Sequence, residues 1–459
     1  MGKVRPVALT IAGSDSGGGA GIAADLKTFA AAGVHGVLAI TSVTAQNTVE
    51  VRGVYDMPPE AVRLQVLAVH EDLGVDAAKT GMLSNASIVR EVARLVDELG
   101  FPLVVDPVMV AKSGAQLLRD DAVEVLVREL VPRATVVTPN APEAERMTGI
   151  EVRDLEGARK AAEHIVERLG ARAAVVKGGH LGGPESVDVL YYGGRYVELR
   201  APRIESRATH GTGCSFSAAI AAGLAKGMDV EEAVREAKRM VTDAIRYGLD
   251  LGSGHGPVNP ISWIEVPAER FRALEDVRLA LRVLKENGRF VHRLMGEGSI
   301  EIGVALPAPY ALGPGDVATA VGGIGRHGSS IVSRGGVGFG ASGALTSAIM
   351  AMSERYPQVR AAAIVEGGEG IEGAALSLGL RLASFARRGP ARGRDLGSGI
   401  SEALRSAGPV PPDVVLDPGG QGMAPLAIFF GRSAAEAAAK LVAVAKALAG
   451  GVDPAANLI

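Results

Sequence analysis

The strongest constraint in this chain is a recurring pattern in which a short apolar run stops on a polar residue and an amphipathic stretch follows. Leu103-Val104-Val105 stops on Asp106-Pro107, Thr135-Val136-Val137 on Thr138-Pro139-Asn140, and Ala173 to Val176 on Lys177-Gly178-Gly179-His180. Runs this short and apolar suit strands buried on both faces, and strands alternating with helices imply parallel crossovers. An α/β sheet covered by helices on each side follows. Ligands of such sheets bind beyond the carboxyl ends of the strands. Asp106, Asn140 with Glu143, and Lys177 are therefore expected to converge although they are far apart in sequence.

The turn Thr209-His210-Gly211-Thr212-Gly213-Cys214-Ser215 opens directly into an alanine-rich helix from Phe216 to Leu224 and is expected to join them. Its glycines let a ligand approach the backbone, and the free N–H groups of the helix start favour an anion. An ordinary strand-to-helix connection looks the same, so this motif alone leaves both readings open. Upstream, Val7 to Ala12 reads as a strand, residues 13–21 as a glycine-rich loop, and Ile22 to Ala32 as a helix closed by Gly33. Val37 to Val43 reads as a second strand, Pro59 to about Leu73 as a helix, and Asn85 or Ser87 as the cap of a helix reaching Glu98. Asp188 to Tyr192 and Tyr196 to Leu199 form a hairpin about Gly193-Gly194, and a helix runs from Val230 to Tyr247. Residues 252–260, rich in glycine and proline, read as the break before a second unit.

At 459 residues the chain exceeds what one core usually serves, so at least two domains are expected. A net charge of -3 gives no electrostatic case for nucleic acid or an anionic membrane as partner. The single cysteine, Cys214, excludes an internal disulfide and a multi-cysteine metal site, and with no apolar run of membrane-spanning length it points to the cytoplasm. Phosphoryl transfer needs positioning and charge neutralisation, commonly from magnesium held by one or two carboxylates and phosphate oxygens. Asp106 and Glu143 are candidates, and Lys177 can reach phosphate as a point charge. A thiol at a helix N-terminus, as Cys214 would be, is expected to have a lowered pKa and to accept a hydroxyl proton.

Taken together, Thr10-Ile11-Ala12-Gly13-Ser14-Asp15, Gly18-Gly19-Ala20-Gly21-Ile22, Ala24-Asp25-Leu26-Lys27-Thr28, Ala45-Gln46-Asn47-Thr48, Lys79-Thr80-Gly81-Met82-Leu83, Ala111-Lys112-Ser113-Gly114, Thr138-Pro139-Asn140, Lys177-Gly178-Gly179-His180 and Thr209 to Cys214 resemble the hydroxymethylpyrimidine and phosphomethylpyrimidine kinases of thiamine biosynthesis. The resemblance covers about residues 4–262 and departs from the family mainly at Ser16-Gly17-Gly18-Gly19, where a proline and a serine are common. It implies a ribokinase-like three-layer α/β sandwich that uses ATP to phosphorylate 4-amino-5-hydroxymethyl-2-methylpyrimidine and then its monophosphate. It further implies that Asp25 and Gln46 hydrogen-bond the aminopyrimidine, with Gly13 and Met82 lining its pocket. Asp106 and Glu143 would serve magnesium through water, and Asn140, Lys177 and Thr212 would contact ATP. Gly211 to Cys214, Gly213 included, would form the anion hole, with Cys214 as base. A monovalent cation and a homo-oligomer are further expectations. Asp15, His180 and His210 lie near these stretches and can touch ligand or brace loops. A pyridoxal-type kinase is the alternative among enzymes.

From about Phe271 the chain resembles the ThiN-type thiamine-phosphate synthase domain, through Ile302 to Pro307, Gly315-Asp316-Val317-Ala318, Gly338 to Ser342, Val359 to Ala362 and Pro412 to Asp417. The expected division is residues 1–262, a linker over 263–270, and a smaller α/β domain over 271–459, whose ligand would be thiazole phosphate or thiamine phosphate. Glu301, Gly322-Gly323 and Ala344 stand where the family pattern has asparagine, Gly-Arg and histidine. The expectation is a domain without synthase activity, against a fully bifunctional enzyme or a thiamine-ligand sensor; Arg326, His327 and Arg334 are the substitutes at hand.

Overall fold

The computed structural model describes residues 3–111, 114–180, 182–296, 298–367, 370–385, 396–405, 407–420 and 424–450. It divides into two units, Met1–Glu265 and Val266–Ile459. Lys112 and Ser113, quoted above, fall outside the described residues, as does the side chain of His180.

The strands of the first unit are β1 (Val7–Ala12), β2 (His35–Ile40), β3 (Ser42–Gln46), β4 (Val51–Asp56), β5 (Ala77–Thr80), β6 (Leu103–Val105), β7 (Val136–Val137), β8 (Ala173–Val176), β9 (Glu185–Tyr192), β10 (Arg195–Pro202), β11 (Ala208–His210) and β12 (Gly256–Pro257). Its helices are α1 (Gly21–Ala31), α2 (Pro59–Leu73), α3 (Ala86–Leu99), α4 (Asp120–Val125), α5 (Ala141–Thr148), α6 (Leu155–Glu167), α7 (Thr212–Ala225) and α8 (Val230–Arg246). The main sheet has the order β10-β9-β8-β7-β6-β5-β1-β2. It is parallel from β8 to β2, and the β9–β10 hairpin adds an antiparallel edge. Side chains alternate across it with period two. Leu9, Ile11, Leu103 and Val105 pack with Ile88, Val92, Ala144 and Ile165 from α3, α5 and α6. Ala8, Val104 and Val175 pack with Phe29, Ile220 and Val234 from α1, α7 and α8. This is the three-layer sandwich the strand pattern implies. Asn85 caps α3 by accepting from the Ile88 N–H, and Gly193 and Gly194 take positive φ at the hairpin turn.

Three sequence readings need correction. The expected strand from Val37 to Val43 breaks at Thr41, where β3 leaves the sheet to pair with β4 in a separate antiparallel ribbon. Residues 252–260 are not a break, since β12 pairs with β11 and the Asn259 N–H donates to the Ala244 carbonyl at 2.9 Å. The expected linker over 263–270, within which the two units divide, is helical: it lies in α9 (Ser262–Glu286), which carries Pro267 in its interior.

In the second unit, α10 (Gly288–Val291), α11 (Gly343–Arg355), α12 (Ile371–Ser377), α13 (Leu396–Arg405) and α14 (Ala434–Leu448) accompany strands β13 (Glu301–Ala305), β14 (Val317–Ala320), β15 (Ile324–His327), β16 (Ser330–Ser333), β17 (Val337–Phe339), β18 (Ala361–Glu366), β19 (Leu382–Ser384), β20 (Val414–Asp417) and β21 (Leu426–Gly431). Its seven-stranded sheet, ordered β17-β14-β13-β18-β21-β20-β19, is antiparallel except for the β19–β20 pair. Leu345, Ile349 and Met352 of α11 and Ile400 and Leu404 of α13 bury against Ile364, Ile428 and Phe430. The fold class is α/β, as expected, but built on an antiparallel sheet. Among the described residues no helix is long and apolar enough to cross a membrane.

Candidate active site

The carboxyl ends of β1, β5, β6, β7 and β8 open on one cavity of ≈ 880 Å³. Its lining includes Gly13, Gln46, Met82, Asp106, Asn140, Glu143, Lys177 and Gly211 to Cys214, so those residues do converge.

At one end Asp106, 2% exposed, follows β6 directly. Its Oδ1 accepts from Lys177 Nζ at 3.1 Å and from the Thr138 hydroxyl at 3.3 Å, and its Oδ2 from the Ser217 hydroxyl at 3.3 Å. Across from it, Asn140 and Glu143 form a capping box at the start of α5. The Glu143 N–H donates to Asn140 Oδ1 at 2.9 Å, and Glu143 Oε2 accepts from the Asn140 N–H at 2.8 Å. Burial pushes the Glu143 carboxyl well above the ordinary carboxylate range; Lys177 opposes that shift and Asp106 adds to it. Two carboxylates this confined are stabilised by a cation, and magnesium is usually shared with phosphate and water rather than caged by protein. Among the described residues no group of three or more histidine, cysteine or acidic side chains could hold a metal alone. Asp106 and Glu143 thus fit a magnesium ion that takes its other ligands from phosphate and water.

The start of α7 faces the same end. Gly211 holds φ +83°, and a Cβ there would lie 1.9 Å from the Gly19 carbonyl oxygen, so the turn is locked against the glycine loop after β1. A Cβ at Gly213 would stand 3.3 Å from Lys177 Nζ and 3.6 Å from Asp106 Oδ2. No side chain caps α7 and no acidic residue occupies its first turn, which leaves its N–H groups and dipole available to an anion. The Thr212 hydroxyl is committed to the Thr209 carbonyl at 2.8 Å, so Thr212 offers a ligand its N–H.

Next to this turn Gln46, on β3, stands beside His210, with Nε2 atoms 3.4 Å apart. His210 Nε2 lies 2.8 Å from Asp15 Oδ2, and Asp15 also accepts from the N–H groups of Gly17, Gly19 and Ala20. Burial pushes Asp15 up, but its bonds to His210 and to the Gly17 and Ala20 N–H groups outweigh that and hold the carboxyl below its usual value. Asp15 is thus the brace of the glycine loop. Met82 packs on Gly13, where a Cβ would come within 3.1 Å of its sulfur.

Two expectations fail. Asp25 is not in the cavity lining; it is 0% exposed, bonded to Lys79 Nζ at 2.8 and 3.0 Å and to the Thr10 hydroxyl at 2.7 Å. Lys79, also 0% exposed, was missed as a partner, although a lysine inside the strand Ala77-Ala78-Lys79-Thr80 signals a buried counterion. Cys214 does not have a lowered pKa. Burial raises its thiol to about 11; Lys79 works against this, and the nearby Asp25 and Asp106 carboxylates reinforce it.

A model of the phosphomethylpyrimidine kinase family matches residues 15–259, more than half of the chain. The chain belongs to this family. It is 51% identical over 256 residues to the hydroxymethylpyrimidine/phosphomethylpyrimidine kinase of Bacillus subtilis, covering 55% of this chain and 93% of that one. With the Streptomyces coelicolor protein of the same name it shares 52% over 254 residues, 55% of this chain and 94% of the relative. With the thiamine biosynthesis bifunctional protein ThiED of Geobacter sulfurreducens it shares 52% over 258 residues, 56% of this chain and 52% of the relative. Among solved structures, the ADP complex of Bacillus subtilis pyridoxal kinase superposes with a TM-score of 0.53 at 39% identity, covering 57% of this chain and 99% of that one. The Staphylococcus aureus pyridoxal kinase bound to AMP-PCP and pyridoxal gives 0.53 at 34% identity, covering 57% and 96%. The kinase family of the first unit thus has the ribokinase-like fold. A second model, thiamine-phosphate synthase ThiN, matches residues 276–443.

Proposed function

We propose that the first unit transfers the γ-phosphoryl group of ATP to the hydroxymethyl oxygen of 4-amino-5-hydroxymethyl-2-methylpyrimidine, and then phosphorylates the monophosphate to the diphosphate. The observation that carries this reading is one cavity lined by an uncapped helix start with Lys177 beside it and by the Gly13, Gln46 and Met82 surface. Gln46 can read the amino group and ring nitrogen of the pyrimidine through its amide. Lys177 meets the phosphate chain as a point charge, and the N–H groups of Thr212, Gly213 and Cys214 surround the transferring group. Bound magnesium, held through water by Asp106 and Glu143, would neutralise charge on the β- and γ-phosphates. The hydroxymethyl oxygen bonds to phosphorus, the bond to the β-phosphate oxygen breaks, and ADP departs. Such a loose transition state asks little of a base. Cys214 is mostly a thiol at neutral pH; only the fraction that has first lost its proton to solvent, as the thiolate, takes the hydroxyl proton, and it does so late.

This gives Cys214 a signed pH dependence. Wild-type kcat is expected to rise from pH 7 to 9 as the thiolate population grows toward its pKa of about 11. Cys214→Ser should lower kcat by about 10²-fold and flatten the rise. Steady-state profiles check this, and unchanged turnover would remove Cys214 from proton transfer.

The second unit is proposed to have lost synthase activity. Glu301 accepts a hydrogen bond from the Ser342 hydroxyl, and Gly322 and Gly323 form a tight turn with φ of +73° and +71°. The substitutes Arg326 and His327 are adjacent on β15, so they project to opposite faces. Thiazole phosphate or thiamine phosphate as its ligand, and assembly as a homo-oligomer, belong to the same proposal. One incubation of the full chain with hydroxymethylpyrimidine, magnesium-ATP and thiazole phosphate tests both units. Pyrimidine diphosphate should accumulate without thiamine phosphate. Thiamine phosphate would restore the bifunctional reading, and no phosphorylated pyrimidine would sink the kinase reading. The structural likeness to pyridoxal kinases favours one alternative substrate, so relative turnover on pyridoxal belongs in the same assay.

A further inference from the structure

We propose that Asp188 is a positioning residue for Lys177, with Lys238 as the buried counterion that holds it; this rests on the kinase reading of the cavity. Lys177 is the first residue after β8, and its place depends on the backbone at 177 and 178. The Lys177 N–H donates to the Pro139 carbonyl at 2.9 Å, which ties the turn to the loop after β7. The Gly178 N–H donates to Asp188 Oδ1 at 2.9 Å, which ties it to β9. Asp188 Oδ2 accepts from Lys238 Nζ at 2.9 Å, and that ammonium also donates to the Ser186 hydroxyl at 3.2 Å. Asp188 and Lys238 are only 5% and 7% exposed.

Stability alone is a poor reason for this pair, because a buried ion pair is commonly matched or bettered by apolar residues of similar size. Its geometry suggests another. A Cβ at Gly178 would lie 1.7 Å from the Val187 carbonyl oxygen, so β9 is packed directly against the turn. Packing sets how near the turn lies to β9, whereas the carboxylate sets which way the Gly178 peptide faces. Rotation of that peptide would swing Lys177 away from Asp106, its partner at 3.1 Å. Asp188 and Lys238 themselves line the cavity, with Val241 and Ile245 of α8, so the brace is a part of the wall that reaches Lys177 through the Gly178 peptide.

Two double variants separate positioning from charge. Asp188→Leu with Lys238→Met removes both charges and the acceptor for Gly178; Asp188→Asn with Lys238→Met removes the charges but keeps an acceptor oxygen. The first should lower kcat/KM for ATP by about 30- to 100-fold, the scale set by misplacing a reacting group by an ångström, with pyrimidine Kd within threefold of wild type. The second should recover to within about fivefold of wild type, because its amide oxygen still fixes the Gly178 peptide. Equal activity of the two variants, or wild-type kcat/KM in the first, overturns the proposal. Calorimetric ATP affinity, measured on the same proteins, should fall in the first and recover in the second. If wild type binds ATP but phosphorylates no pyrimidine, the kinase reading fails and this affinity comparison still decides the role of Asp188. Amide hydrogen exchange at Gly178 in wild type covers loss of folding in either variant: it should be slow, and exchange at the unprotected rate overturns the proposal.

Discussion

Gly211→Ala is expected to lower kcat by about 10³-fold in a protein that still folds. The added methyl would sit 1.9 Å from the Gly19 carbonyl oxygen, and φ at +83° is unfavourable for alanine. The φ strain costs about 1 to 3 kcal/mol, which a domain of this size survives. The activity loss is larger because the clash can be relieved only by moving the turn or the glycine loop. The first carries the N–H groups proposed to surround the transferring phosphoryl group. The second precedes α1 and is braced by Asp15, which also holds His210 beside Gln46. One methyl group therefore disturbs both the start of α7 and the loop that braces His210 beside Gln46. Steady-state kinetics with a thermal melt as control check this, and a kcat within threefold of wild type would mean that the turn does not hold the transferring group.

Lys79→Met is expected to be the most destabilising single change in the first unit, by about 3 to 5 kcal/mol, because it leaves the Asp25 carboxylate buried without its cation. Burial favours the neutral form of Asp25, so the variant can escape part of the loss by protonating it. The deficit should shrink in acid and grow as pH rises, since ionising a group with a raised folded pKa costs stability above its unfolded value. Adding Asp25→Asn to Lys79→Met should restore most of the loss at neutral pH. Denaturant melts at pH 5 and pH 8 on the two variants measure both effects. Wild-type stability in Lys79→Met at pH 8 would show that the pair is not an ion pair that the fold relies on.

Much of the first unit is legible in the amino-acid sequence itself. Asp106, Asn140 and Lys177 each follow an apolar strand, and parallel strands bring their carboxyl ends to one edge whatever their separation in sequence. The ribbon of β3 and β4 escaped because Thr41 and Ser42 are the only polar residues between Val37 and Val43, and two small hydroxyl residues fit within a strand as readily as at the change of partner they mark. Asp25 escaped because its side chain points from α1 onto the strand bearing Lys79, a contact between segments 54 residues apart. The thiol of Cys214 was misjudged for a related reason. Its place at a helix start is local and legible, whereas the burial and the two carboxylates that reverse its shift come from tertiary packing. The antiparallel sheet of the second unit hid behind an alternation of strands and helices that a parallel sheet would share.

Glu143 serves two masters. Its carboxylate closes the capping box of α5, and the same charge stands confined near Asp106. Glutamine would keep an oxygen for the Asn140 N–H while removing a charge whose ionisation the interior resists. A population of variants screened only for survival on heating should therefore drift toward glutamine here, becoming sturdier as it gives up the proposed hold on the phosphate chain. Thermal tolerance and turnover pull in opposite directions at this one position, and a selection that demands both would have to keep the acid.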